Sequence, residues 1–245
     1  MSRAATERPG VEAVERALAI LGAVGGDEVW LPLREVAART GLNKATILRI
    51  AATLERGGFV RRRGDGAFAL GPALWRLGNH YRRSLHLDDA VPPVLERLVA
   101  QTGESCAFYV AEGRGRVCLY RRNSPKAARH HVEEGERLPL DRGSGGRVLQ
   151  AFAGARGPLF DRIRADGLCA SSGERDPDVA GVAAPVFGDG GSLVGALVVS
   201  GLATRFGGHE VERIKQQLTA AAADLSRELG ATPVAVVPAK RRSSR

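Results

Sequence analysis

Between Leu33 and Leu70 the chain runs through two short helical patterns, a tight turn between them, and an arginine-rich hairpin, an order that few folds accept. Val36 and Ala37 give Leu33–Thr40 an inward face, and Gly41 closes that helix in the manner of a C′ glycine. Asn43 is placed to cap the next helix, Lys44 to Arg56, which stops at Gly57-Gly58. Phe59 to Arg63 and Ala67 to Leu70 flank Gly64-Asp65-Gly66, and the Asp-Gly turn predicts a β-hairpin. Upstream, Val11, Val14, Leu18 and Leu21 recur at three- and four-residue spacing, an amphipathic helix ended by Gly25-Gly26. Val29-Trp30-Leu31 reads as a short extended piece. Helix, strand, helix, turn, helix, hairpin is the winged helix-turn-helix layout.

At about 100° per residue, Ile47, Ile50, Ala51 and Leu54 share the inward face of the third helix. Ala45, Arg49 and Ala52 lie opposite, flanked by Leu48 and Thr53, with Lys44 and Thr46 at the N-terminal end. A thin face with one long basic side chain suits a DNA major groove about 12 Å wide. The expected DNA-binding set is Asn43, Lys44, Ala45, Thr46, Leu48 and Arg49 from the helix, with Arg61, Arg62 and Arg63 from the wing. Arg49 can bond guanine O6 and N7 in a bidentate way. Lys44 and Thr46 suit phosphates or adjacent base edges, and the wing arginines suit phosphates or the minor groove. The bland alternative is a solvated helix arginine and a solvated edge strand.

Charge favours the first reading. The 245 residues carry a net charge of +9. Residues 1–85 hold 14 Lys/Arg against 8 Asp/Glu, a net of +6, and Lys240 to Arg245 add +4. The stretch between them is close to neutral, at −1, as expected of a body that stays off nucleic acid. Aromatic content of 5% argues against a single-strand binder built on stacking platforms. Cys106, Cys118 and Cys169 form no CxxC pair, so neither a zinc site nor a disulfide framework is expected. No signal-peptide core or membrane-length apolar run is present, and a cytoplasmic protein without a membrane partner is expected.

Beyond Gly71-Pro72, which starts a further helix, the pattern shifts to mixed helix and strand. Pro92-Pro93 opens a helix ending before Gly103, and strands are expected at Cys106–Val110 and Val117–Arg121. Gly143 to Gly146 reads as a loop before a helix over about 147–152. A helix at Leu159–Ala165, a strand near 168–171, a hairpin of Val182–Phe187 with Leu193–Ser200, and a long helix from about His209 to Leu229 follow. The tail from Ala231, with two prolines and a basic end, is expected to be disordered.

Several segments in this order resemble the IclR-type transcriptional regulators. Val14 to Leu21 is similar to their opening helix, Leu33 to Thr46 to their helix-turn-helix, and Thr53 to Val60 with Phe68 to Gly71 to their wing. Pro93 to Leu98, Gly103-Glu104, Arg137 to Leu140, Ala183 to Val186 and Val199 to Gly201 extend the likeness through the C-terminal part. The resemblance implies an α+β chain: a winged helix-turn-helix domain at 11–71, a linker helix at 72–85 and a GAF-like α/β effector-binding domain at 86–230, with the basic tail at 231–245. It implies a regulator, more often a repressor, that binds a double-stranded DNA operator as a homodimer or tetramer and responds to a small organic effector, without cofactor or metal. It places the effector against Leu140, Gly143, Ser144, Gly145, Gly146, Ser171 and Ser200. Where the family often has Asp and Cys, this chain has Ser171 and Gly181, which suggests a ligand larger than a two- or three-carbon acid. Two alternatives remain: an enzyme of the methionine sulfoxide reductase type using these cysteines, and an architectural DNA binder without effector. The five histidines form no metal-binding spacing, and no phosphate-loop, nucleophile-elbow or dinucleotide fingerprint occurs.

Overall fold

The computed structural model describes residues 10–26, 28–84 and 87–231. Internal packing divides the chain at residue 85 into two compact units. The tail expected to be disordered falls, from residue 232 onward, outside the described residues.

The first unit holds α1 (Glu12–Val24), α2 (Leu33–Thr40), α3 (Lys44–Arg56), β1 (Val60–Arg62), β2 (Phe68–Leu70) and α4 (Pro72–Ser84). Ile20, Val24, Leu31, Val36, Ile47, Ala51 and Phe68 form its core, one residue or more from each of the three packed helices. Gly41 takes a left-handed conformation, φ 68°, and its N–H returns to Ala37. A Cβ is strained there, which is why the turn between α2 and α3 carries glycine. Asn43 caps α3 by accepting the Thr46 N–H at 2.8 Å. The wing is a two-stranded antiparallel ribbon with Val60 opposite Leu70, and Leu31 bridges Phe68 along its inner edge.

In the second unit, α5 (Val91–Thr102) precedes β3 (Ser105–Glu112), β4 (Gly115–Arg122), β5 (Arg137–Pro139), α6 (Gly143–Phe152), α7 (Pro158–Asp166), β6 (Cys169–Ser172), β7 (Val179–Phe187), β8 (Leu193–Leu202) and α8 (Gly208–Glu228). The strands form one antiparallel sheet in the order β5-β4-β3-β8-β7-β6. α5 and α8 pack on one face, and α6, backed by α7, packs on β7, β8, β6 and β3. The core beside α6 joins Tyr109, Cys118, Leu138, Val148, Leu149, Ile163 and Val198. Just before the start of β3, Glu104 is buried and ionised. Burial would raise its pKa, but Lys126 at 2.7 Å and a bidentate Arg205 at 2.6 and 2.7 Å outweigh that and hold it down.

The segment 143–146 differs from the expected loop. It is the first turn of α6. An added Cβ would stand 2.2 Å from the Leu140 carbonyl oxygen at Gly146 and 2.9 Å from Val198 at Gly145. The glycines are there for close approach, and the helix can begin four residues early only because they have no side chains. β5 was not legible as a strand, since three residues on a sheet edge leave no alternation to read.

This crowding makes a direct prediction. Gly146→Ala should destabilise the second unit by about 1–3 kcal/mol, the usual cost of overpacking, as read by urea denaturation. An unchanged midpoint would show that the α6 turn is not held by contact with the Leu140 carbonyl.

Candidate functional site

In the first unit, α3 turns Ile47 and Ala51 into the core and leaves Asn43, Lys44, Ala45, Arg49 and Ala52 exposed. Thr46 is half-buried beside its cap. Leu48 does not join the exposed face. It is half-buried and packs on the helix core, because one step beyond Ile47 still falls on the core's flank. On the wing the three arginines are not equivalent. Arg61 and Arg63 flank Trp30, with their guanidinium carbons 5.3 and 5.1 Å from its ring centre. Arg61 also donates to the Leu70 carbonyl at 3.2 Å. Arg63 pairs with Asp65, whose carboxyl is pulled down to about 2 by that pairing and by the Ala67 N–H. Arg62 points from the other side of β1, with its guanidinium carbon 5.6 Å from the Phe68 ring. Lys44, Arg49 and Arg62 are exposed cations with no hydrogen bond or ion pair among the described residues.

In the second unit a cavity of about 40 Å³ opens between the start of α6 and the sheet. Gly143, Ser144, Gly145, Ser171 and Ser200 line it, as the sequence suggested. Leu140 and Gly146 do not. Leu140 packs into the α6 core, and Gly146 presses on the Leu140 carbonyl behind the wall. Tyr109, Arg116, His130, Glu174 and Arg175 also line the cavity and were missed. Ser171 and Gly181, which stand where the family often has Asp and Cys, both line the cavity. A signal for Arg116 was present: it stands two residues before buried Cys118, and alternation on β4 puts both on the covered face.

The polar groups of this cavity are connected. The first two N–H groups of α6 are already satisfied, Gly143 donating to Glu174 at 2.9 Å and Ser144 to Ser171 Oγ at 2.8 Å. Glu174 also pairs with Arg147 at 2.8 Å. On the opposite wall Arg175 hydrogen-bonds His130 Nε2. A guanidinium can only donate, so Nε2 accepts and the ring proton sits on Nδ1, which donates to Ser200 Oγ at 3.1 Å. Burial first, then the charges of Arg175 and Arg121, push the His130 pKa down to about 4. Arg116 is 5% exposed and lies over the Tyr109 ring, with 5.4 Å from guanidinium carbon to ring centre. Its Nη1 bonds the carbonyls of Pro139 and Arg142, while its Nε has no partner.

The three cysteines are buried as free thiols. Burial pushes Cys106 and Cys118 up to about 12 and Cys169 up to about 11, so none presents a thiolate near neutral pH. Cys118 faces Tyr109 across β3 and β4, and Cys106 faces Arg122, so the two do not oppose each other as a redox pair would. No group of three His, Cys, Asp or Glu among the described residues is placed to hold a metal ion.

The pH dependence follows from His130. Its ordinary pKa is 6.5, and in the fold it is about 4. Between those values the unfolded chain binds one more proton, so stability falls as pH drops from about 6.5 to 4. Urea midpoints across that range should show this loss, and His130→Gln should flatten it. An equally steep loss in the variant would place the titrating group elsewhere.

Comparison with known proteins agrees with this architecture. Residues 13–64 match the IclR helix-turn-helix domain, and residues 79–156 and 158–227 match the bacterial transcriptional regulator IclR C-terminal domain. The HTH-type transcriptional regulator XynR of Escherichia coli is 26% identical, over 91% of this chain and 98% of its own. The crystal structure of an IclR transcriptional regulator from Alicyclobacillus acidocaldarius superposes with a TM-score of 0.75 at 25% identity, covering 91% of this chain and 100% of that one. An IclR homologue from Microbacterium hydrocarbonoxydans, crystallised with 4-hydroxybenzoate, shares the fold with a TM-score of 0.77 at 22% identity, over 89% and 99% of the two chains.

Proposed function

The chain belongs to the IclR family of bacterial DNA-binding transcriptional regulators, which are not enzymes, and from that premise we propose that it is a repressor released or retained on its operator by a small organic effector. The observation that carries the DNA half of this reading is the set of exposed cations, Lys44, Arg49 and Arg62, that have no hydrogen bond or ion pair among the described residues. Arg49 reads a guanine edge from the centre of α3. Lys44 and Arg62 hold phosphates on either side. Arg61 and Arg63, already engaged by Trp30, Leu70 and Asp65, shape the wing and contribute less to the salt-dependent attraction.

The cavity of the second unit supports effector control. It gathers a helix N-terminus, two arginines and a neutral histidine in one half-enclosed space. The aromatic acid bound to the Microbacterium homologue is consistent with an anionic effector for this fold. A purely architectural DNA binder has no need of such a cavity. Pairing of two copies is supported by the apolar side chains that α1 and α4 expose, Val14 and Leu18 on one and Trp75 and Leu77 on the other. Two paired winged helices then read two half-sites. Among the described residues no helix is long and apolar enough to cross a membrane, and a DNA partner supports a cytoplasmic location.

Two measurements test these roles. In gel shifts on genomic fragments selected by the protein, Arg49→Ala should lose about 1–3 kcal/mol of sequence discrimination, while Arg62→Ala should weaken all sequences alike and lower the salt slope by about one. No change in either variant contradicts the assignment. In sedimentation experiments Leu18→Glu combined with Trp75→Glu should yield monomer; an unchanged dimer removes α1 and α4 from the interface.

A further inference from the structure

The charges around the cavity do not balance. Arg116 and Arg175 both face it, and the only carboxylate in its lining, Glu174, is already matched by Arg147. No carboxylate pairs with Arg116 or Arg175 among the described residues; Asp141 and Asp176 are exposed and outside the lining. Arg116 is nine-tenths buried and more, and its Nε proton is unused. Burial and the neighbouring charge of Arg175 together hold the Arg116 guanidinium below its usual pKa, the mark of a cation short of counter-charge. At the other end, Glu174 shows what the α6 turn accepts: a carboxylate on the Gly143 N–H. Glu174 and Arg147 are both partly exposed, so the pair can move outward together and leave that N–H open.

We propose that the effector is a short dicarboxylate, with one carboxylate replacing that of Glu174 at the start of α6 and the other reaching Arg116 on the cavity floor. Arg175 stands beside both, and neutral His130, itself anchored on Ser200, bonds Arg175 directly without adding charge. A monocarboxylate satisfies only one end, and a neutral ligand satisfies neither. The cavity of about 40 Å³ admits a few atoms as it stands, and the departure of Glu174 supplies the rest of the room. Glu174 is thereby a competitor built into the site, and Arg116 the residue that selects for a second acidic group. The inference rests on the effector reading above but is narrower than it.

The test is calorimetric titration of the full chain with malonate and succinate, against propionate, butyrate and 4-hydroxybenzoate, in carboxylate-free buffer. A dicarboxylate should bind at least tenfold tighter than the monocarboxylate of equal length. Arg116→Gln should erase that preference. Glu174→Gln, which leaves the sheet untouched, should tighten dicarboxylate binding several-fold. Equal or tighter binding of the monocarboxylates or of 4-hydroxybenzoate overturns the dicarboxylate inference and leaves effector control standing. So does a Glu174→Gln variant that binds dicarboxylates no better than the parent chain, whatever the folding of Arg116→Gln. If neither these acids nor a broad metabolite library binds, the effector reading falls with it.

Discussion

The second unit depends on a helix turn in which three of the four residues are glycine. Gly145 and Gly146 bring α6 against Val198 and the Leu140 carbonyl, closer than any Cβ permits. That approach lets Arg116 bond the carbonyls of Pro139 and Arg142 and lie over Tyr109. It also leaves the first N–H groups of α6 facing Glu174 and Ser171. Packing and polarity are set by the same contact: the helix is close enough to seal the core beside it and bare enough to keep a polar hollow at its tip.

The first unit uses charge differently. Its arginines are graded by what surrounds them. Trp30 and Asp65 immobilise two of the wing arginines, which restricts their rotamers and lowers the entropy lost when the wing meets a surface. Arg49 and Arg62 stay exposed and without an ion pair among the described residues, Arg62 lying over the Phe68 ring. Net charge alone would have counted these side chains as equal. The partition into a basic first unit and a near-neutral body survives in the fold, but the body's neutrality hides a local excess of positive charge in its cavity.

The sequence revealed the first unit almost completely because its signals are local. A glycine turn, an asparagine cap and an Asp-Gly hairpin each act within a few residues, and each matches the structure. The strands β3, β4, β7 and β8 were visible by their apolar runs. The cavity was only half legible. Gly143, Ser144 and Ser200 could be named from a resemblance, but Arg116, Glu174 and His130 come from separate strands and loops, and only the antiparallel order of the sheet brings them together. The half-burial of Leu48 was not legible for a similar reason. Helical angle alone could not show how far the core extends around α3.

The central claim is that the exposed face of α3 and the wing of the first unit meet DNA while the cavity of the second unit does not. Hydrogen–deuterium exchange on the full chain, free and bound to a selected genomic fragment, tests it most directly. The account predicts that DNA protects peptides covering Asn43 to Arg49 and Arg61 to Arg63 and leaves those covering Gly143 to Gly146 no better protected. Protection confined to the second unit, or none over α3, would contradict it.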